Sequence, residues 1–355
     1  MSVDIRALER QARDSLNRDV YDFIAGGSGR ERTLRANLKA WRQVALLPRV
    51  LRDVSAVDTS VRVPGASLAT PIGVAPTAAH RMAHPDGEVA TATGAARAGA
   101  LYVLSTRSSR SIEDVAAALA CREPGGGHAE VGGGTWWFQA YVMRDRELTA
   151  GLVRRAAAAG ASAIVLTGDT PVVGHKRRDR GGDGVDERDF MANLEHADPV
   201  GREQSPDASF ADIGWISEVS GGLPVVVKGV LRPDDALACA GHGAAAVIVS
   251  NHGGRQLDGA MATAHALPAV VAALRGRCEV YVDGGIRRGE DVLTALALGA
   301  RAVFLGRPVL WALAGGGASG VGDLLSGMTG DLAHTMALAG ATRLTELDGV
   351  TAQPG

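Results

Sequence analysis

Val247-Ile-Val-Ser-Asn-His-Gly-Gly-Arg-Gln-Leu-Asp258 changes character part-way along. An apolar run, Val247 to Val249, gives way to Ser250, Asn251, His252, two glycines and Arg255. Such a stop marks a buried strand reaching the edge of a core, and in a parallel barrel the strand ends are where chemistry sits. His252 can move a proton near neutral pH. Arg255 offers a planar fork that matches a carboxylate, and the glycines let the backbone approach a ligand closely. Alone, the stretch also reads as a strand followed by a solvated glycine turn, so the rest of the chain must decide.

The same pattern recurs on both sides of it. Pro71–Ala75 runs into Thr77 and Ala78, Ala100–Leu104 into Ser105 and Arg107, and Ser162–Leu166 into Thr167 and Asp169, while Trp136–Tyr141 carries Gln139 and Tyr141. Leu223–Val227 runs into Lys228, Glu279–Val282 into Asp283, and Ala302–Leu305 into Gly306 and Arg307. Helical segments at Gly87–Ala98, Ser111–Leu119, Arg146–Ala159, Pro233–Ala240 and Gly289–Leu298 separate most of these runs, and helices continue to about Leu347. Ser111 can cap its helix, with Glu113 and Asp114 in the first turn. Ahead of the repeat, residues 4–40 read as helices broken at Gly26-Gly27-Ser28-Gly29, and 48–65 as an extended lead-in.

Eight strands alternating with helices predict an α/β fold, a (β/α)8 TIM barrel in a single domain. Residues 1–65 form an N-terminal helical extension and lead-in, and 66–347 form the barrel. A doubly wound open sheet shares the alternation, but the strand count and the polar residues gathered at one end favour the barrel. Residues 174–215, after strand four, break the rhythm. This polar stretch has the length of a mobile lid, with its charge run solvated. Gly125-Gly-Gly-His128 and Gly132-Gly-Gly134 read as linkers, because they lack the context of a phosphate loop.

Composition narrows the function. In 355 residues, 46% are hydrophobic, 21% are charged and the net charge is −2, so the chain is globular and has no electrostatic case for nucleic acid or an anionic membrane. Cys121, Cys239 and Cys278 are scattered, which argues against a disulfide framework or a zinc site and fits a reducing compartment. The charged N-terminus lacks the apolar core of a signal peptide, and no stretch has the length of a membrane span, so a cytoplasmic protein is expected. No histidines and carboxylates stand at metal-ligand spacing. Asp283-Gly-Gly-Ile-Arg287 and Leu305-Gly-Arg307 follow strands seven and eight, where such barrels often bind phosphate.

Other stretches join these pieces: Val20-Tyr-Asp-Phe23, Ala75-Pro-Thr-Ala78, Met82-Ala-His-Pro-Asp-Gly-Glu88, Phe138-Gln-Ala-Tyr141, Thr167-Gly-Asp-Thr170 and Val227-Lys-Gly229. With Ser250–Gln256, Asp283–Arg288 and Leu305–Pro308 they run in order over most of the chain. The chain thereby resembles the FMN-dependent α-hydroxy acid oxidase/dehydrogenase family, which includes glycolate and lactate oxidases, mandelate dehydrogenase and hydroxymandelate oxidase. The resemblance implies FMN as cofactor. Thr77, Ala78, Ser105, Gln139 and Thr167 would hold the flavin ring, Lys228 would sit beside N1/C2=O, and Ser250 would meet the ribityl chain or ring edge. Asp283, Gly285, Arg287, Gly306 and Arg307 would hold the ribityl and phosphate.

By the same resemblance His252 is the base, Asp169 orients it, Tyr141 hydrogen-bonds the substrate oxygens and Arg255 grips the substrate carboxylate. The implied reaction converts a 2-hydroxy acid to a 2-keto acid. O2 is the expected oxidant, since alanine at the position of Ala78 goes with oxidases in this family and glycine with dehydrogenases. A homotetramer is the implied assembly. Three positions depart from the common pattern. Phe23 stands where many members carry tyrosine, Lys176 where many carry an arginine whose substrate-binding role Arg177 beside it could take, and Arg107 where an aromatic or small residue is common. The expectation is a pocket re-cut for a larger or aromatic acid, or for one whose second acidic group pairs with Arg107. An FMN-dependent isomerase, a maturase acting on a peptide-derived intermediate and a non-catalytic flavin-binding barrel are the competing readings. The presence of His252, Asp169, Arg255 and Tyr141 in one chain speaks against them.

Overall fold

The structure, a computed structural model, describes residues 3–120, 134–178 and 185–352. Cys121, the Gly125–His128 stretch and most of the Gly132–Gly134 stretch lie outside the described residues. Eight parallel strands close into a barrel in chain order. They are β1 (Ile72–Val74), β2 (Tyr102–Ser105), β3 (Trp136–Ala140), β4 (Ile164–Thr167), β5 (Val225–Val230), β6 (Ala246–Val249), β7 (Glu279–Asp283) and β8 (Ala302–Leu305). Every expected strand is present, with ends moved by a residue or a few.

The strands read as continuous apolar runs because both faces are covered. Alternate residues divide between two clusters. Leu101, Val103, Trp137, Val165, Ile248 and Phe304 fill the barrel, whereas Tyr102, Leu104, Phe138, Ile164 and Val249 pack in the shell that contains the helices. Inside, the rings of Trp137, Tyr281 and Phe304 meet with centroids 5.8–6.1 Å apart. Gly73 of β1 makes room for them, since a Cβ there would lie 2.8 Å from Phe304 Cε1. An antiparallel hairpin, Val61–Val63 with Ala66–Leu68, joins the same interior cluster. Its contacts to Gly99, Ser162 and Arg301, each just ahead of a strand, place it under the N-terminal end.

Helices α1 (Ile5–Ser15), α2 (Arg18–Ala25) and α3 (Arg32–Ala40) precede the barrel, as expected. α1 packs on the long final helix, and α3 packs on the turn after β6. Barrel helices α4 (Glu88–Arg97), α5 (Ile112–Ala120) and α6 (Arg146–Ala158) match their expected spans. Ser111 caps α5 by accepting from the Asp114 amide at 3.0 Å. Two helices escape the periodicity: α7 (Ala211–Val219) and α9 (Thr263–Leu274). α7 closes the polar segment read as one loop. α9 is alanine-rich and carries Pro268 within it, so it shows no clean stripe. α8 (Pro233–Gly241), α10 (Gly289–Ala297) and α11 (Arg307–Leu338) complete the shell. No described helix is long and apolar enough to cross a membrane.

Of the segment after β4, residues 179–184, part of the charge run, lie outside the described residues, and the described part is anchored at several points. Asn193 is buried; its amide donates to Ser108 Oγ and the Arg110 carbonyl and accepts from the Ile112 amide at 3.0 Å. Met191 and Leu194 are buried beside it. Around residues 191–194 the segment is therefore packed onto the barrel mouth, while many of its other described residues are exposed.

Gly73→Ala should lower stability by about 1–3 kcal/mol through overpacking, whereas Gly151→Ala, in α6 with open space at its Cβ, should raise it by about 0.5–1 kcal/mol. Urea midpoints of the two variants would check the opposite signs.

Candidate functional site

The turn after β6 is built from residues that a chain rarely places in succession. His252, Gly253 and Gly254 all have left-handed backbones, with φ of 57°, 62° and 75°. For a histidine this conformation costs roughly 1–2 kcal/mol, and the surroundings fix it. The His252 amide donates to Ser250 Oγ at 3.0 Å, and the Gly254 amide to Asn251 Oδ1 at 3.1 Å. Asn251 and Asn37 of α3 exchange side-chain amide hydrogen bonds, each 2.8 Å. A Cβ on Gly254 would meet the Leu34 nitrogen at 2.6 Å, so α3 and the turn fit only through glycine.

Thus held, His252 turns Nδ1 to within 3.0 Å of Asp169 Oδ1, just past β4. β5 lies between the two strands, and its register shifts between Lys228 and Val230. Gly229, at the shift, has φ 107°, and a Cβ there would fall 2.5 Å from that of Asp169. The missing side chain lets Asp169 lie across β5. Gln256 fixes the other side of Asp169, donating to its carbonyl at 2.9 Å and accepting from the Gly174 amide.

Burial and charge decide the protonation states. Burial, then the charge of Lys228, outweigh Asp169 and hold the His252 pKa below its ordinary value. For Asp169 burial acts to raise the pKa, but His252 and Lys228 outweigh it and bring it down to about 2. The pair at neutral pH is therefore a neutral imidazole on a carboxylate. With Nδ1–H donating to Asp169, Nε2 is free to accept a proton. Lys228 is buried 3.6 Å from Asp283 Oδ2. Burial would lower its pKa, but Asp283 and Asp169 hold it raised and charged.

One cavity of about 420 Å³ brings together His252, Lys228, Tyr141, Arg255 and the segments after β7 and β8. Thr77, Ala78, Ser105, Asp283, Gly285 and Gly306 line it, as do Phe23, Arg107 and Lys176. Arg255 donates to the Phe23 and Gly26 carbonyls at 2.8 and 3.0 Å and stands 5.0 Å from the Phe23 ring centre. Arg287 and Arg307 also line the cavity. Burial drops the Arg287 pKa to about 10. Burial, with repulsion from Arg255 and Arg287, drops that of Arg307 to about 9. Two half-buried guanidinium groups near enough to repel make a site suited to an anion.

Four expected residues stand elsewhere. Gln139 and Thr167 form a layer behind the wall, with Gln139 Nε2 donating to Thr167 Oγ1 at 3.0 Å and Ser105 Oγ donating to Gln139 Oε1 at 3.2 Å. Ser250 is buried beneath His252. Arg177 is exposed and off the cavity wall, and its neighbour Arg178 pairs with Glu31 at 2.7 Å.

Sequence reasoning also passed over several supports. Among them are Asn37, Gly229 and Gln256, and Phe190 and Met191 on the wall. Another is His80, which bridges Thr77 and Thr91 at 2.6 and 2.8 Å. Glycine and glutamine inside quoted motifs were the available signals for Gly229 and Gln256. Phe190 and Met191 had none, because they come from the polar segment.

The profile of the FMN-dependent dehydrogenase family matches residues 12–353. The chain belongs to that family. It is 41% identical to an L-lactate oxidase of Nostoc sp. over 362 residues, covering 98% of this chain and 96% of that protein. It is 43% identical to a 4-hydroxymandelate oxidase of Amycolatopsis orientalis, covering 95% and 94%. A mandelate oxidase mutant solved with (S)-mandelic acid superposes with a TM-score of 0.90 at 42% identity over the whole of both chains. The family cofactor, FMN, fits the residues present. Arg287 and Arg307 suit its phosphate, and Asp283 Oδ1, buried without a partner, suits a ribityl hydroxyl. Thr77, Ala78, Ser105 and Lys228 suit its ring.

In flavin-loaded protein, NMR of labelled histidine should show His252 titrating below about 6.5, its ordinary value. Asp169→Asn should lower that pKa further by removing the carboxylate, and Gly229→Ala should do the same by pushing Asp169 aside. A pKa that rose in either variant would contradict the pairing.

Proposed function

We propose that this chain oxidises a 2-hydroxy acid to the 2-keto acid and passes the two electrons to O2, so that one 2-hydroxy acid and one O2 become one 2-keto acid and one hydrogen peroxide. The observation that carries this reading is the His252–Asp169 pair opening on the same cavity as Arg255 and Lys228. The oxidases among the relatives support it. FMN, when bound, supplies the two-electron acceptor.

The chain's own residues bind and deprotonate. Arg255 clamps the substrate carboxylate, a pairing for which a guanidinium fork is suited. Tyr141, whose phenol burial holds above its ordinary pKa, stays protonated and donates to a substrate oxygen. Nε2 of His252 takes one substrate proton, and Asp169 stabilises the imidazolium that results. Lys228 keeps a fixed positive charge at the cavity floor. On the outer side Phe23 meets Phe190 edge-on at 5.6 Å, with Met191 beside them. That wall favours a substrate side chain larger than hydrogen or methyl.

Anaerobic mixing with a series of aliphatic and aromatic 2-hydroxy acids should bleach the flavin, fastest with bulky side chains, and air should restore the colour with release of peroxide. Best turnover on glycolate or lactate would reject the size preference. The reduction rate should fall on the acid side only below pH ~6.5, because the base works as neutral imidazole and its pKa lies below that ordinary value. His252→Ala should keep its flavin and lose about 10²–10⁴-fold in reduction rate.

A further inference from the structure

The wall of the cavity carries six basic side chains, Arg107, Lys176, Lys228, Arg255, Arg287 and Arg307, against two carboxylates, Glu187 and Asp283. Most of this charge has a counterpart once the site is used as proposed above. Asp283 faces Lys228 at 3.6 Å, and Glu187 is taken by Arg202 at 2.5 Å. The flavin phosphate, with a charge of about −1.5 to −2, answers Arg287 and Arg307. The α-carboxylate of the substrate answers Arg255.

Arg107 is left. It leaves the end of β2 and is mostly buried, and burial lowers its pKa. Its guanidinium donates to one acceptor, the Arg202 carbonyl at 2.7 Å. No described carboxylate comes within ion-pairing distance of it, and the ionisable groups around it are Tyr141, Arg202 and Glu187. A guanidinium has five N–H donors, and withdrawing one from water without an anion is costly. Arg107 lies near Tyr141, and Arg202, whose carbonyl it binds, reaches Met191 Sδ at 3.5 Å, so the apolar outer wall begins beside it.

We propose that Arg107 binds a second carboxylate at the far end of the substrate side chain, so that the preferred substrates are 2-hydroxy dicarboxylates. This rests on the reading of the site as a 2-hydroxy acid oxidase and names its substrate class. Arg255 takes the carboxylate next to the reacting carbon, the apolar wall takes the intervening carbons, and Arg107 takes the terminal anion. A neutral side chain of the same shape leaves the guanidinium without its charge partner.

The test uses flavin-loaded full-length protein and matched pairs that differ only in terminal charge: 2-hydroxyglutarate against its 5-amide, and 4-carboxymandelate against 4-carbamoylmandelate. In anaerobic reduction at least one dicarboxylate should exceed its amide about tenfold or more in kcat/KM, as expected for a charge-assisted hydrogen bond, with the difference mainly in KM. Arg107→Gln should bring that ratio close to one, and Arg107→Lys should keep part of it. Equal or inverted ratios for both pairs in the wild-type protein would overturn the proposal, whatever the variants do. A parallel measurement follows the flavin absorbance as 2-ketoglutarate or its amide binds the oxidised protein. If no hydroxy acid bleaches the flavin, the proposed reaction falls, and this binding comparison decides the role of Arg107 alone. Tighter dicarboxylate binding that Arg107→Gln abolishes supports it, and equal binding ends it.

Discussion

The hydrogen bond from His252 Nδ1 to Asp169 Oδ1 joins the tips of two strands that are not neighbours. β5 runs between them, and a side chain at position 229 would fill the space that Asp169 crosses. Much of the local backbone answers to this one contact. The register shift in β5, the left-handed run at 252–254, the Asn37–Asn251 amide pair and the Gln256 clamp each remove a way for the two groups to miss each other. Each carries a local cost in ladder hydrogen bonds or backbone freedom. The barrel, packed around Trp137, Tyr281 and Phe304, is rigid enough to impose that cost.

Burial alone does not set the charges in this cavity. Lys228 and Arg307 are both withdrawn from water, yet they shift in opposite directions. Lys228 lies near two carboxylates, so its charge is supported from within the chain. Arg307 faces two other guanidinium groups, so its charge is opposed. The same desolvation thus yields a settled cation in one place and an unsettled one in the other, according to the neighbours. The floor beneath the reacting region is complete in the polypeptide. The region after β7 and β8 carries positive charge that the chain itself does not answer, and the phosphate of FMN would suit it.

The barrel was legible because its strands are short apolar runs and the polar residues sit at one end of each. Thr77, Lys228, His252, Asp283 and Arg307 could be named from that placement, and all five line one cavity. What the pattern could not convey was depth. Gln139, Thr167 and Ser250 occupy strand ends as well, but they face the layer behind the wall. Period-two alternation tells one face of a strand from the other; it does not tell the first layer of a site from the second. Gly229 and Asn37 were opaque for a different reason. Their importance lies in what approaches them, a carboxylate in one case and a turn 214 residues away in the other. α9 was missed because alanines on every side leave no stripe for periodicity to detect.

The polar stretch after β4 shows where composition misleads most. Its charges invite the reading of a solvated lid, but a single buried asparagine, Asn193, ties it to the loop after β2 and to the start of α5. Once tied, it brings Glu187, Phe190 and Met191 to the cavity wall. The groups that suit the cofactor come from strand ends, whose positions the barrel dictates. Part of the outer wall, Glu187, Phe190 and Met191, comes from this stretch, which Asn193 and backbone hydrogen bonds between 201–205 and 142–145 hold in place. That origin in a polar stretch explains why Phe190 and Met191 could not be read from local sequence. It also explains how such a barrel can exchange substrates without disturbing the pair at its centre: the wall can be rewritten while Asp169, Gly229 and His252 stay as they are.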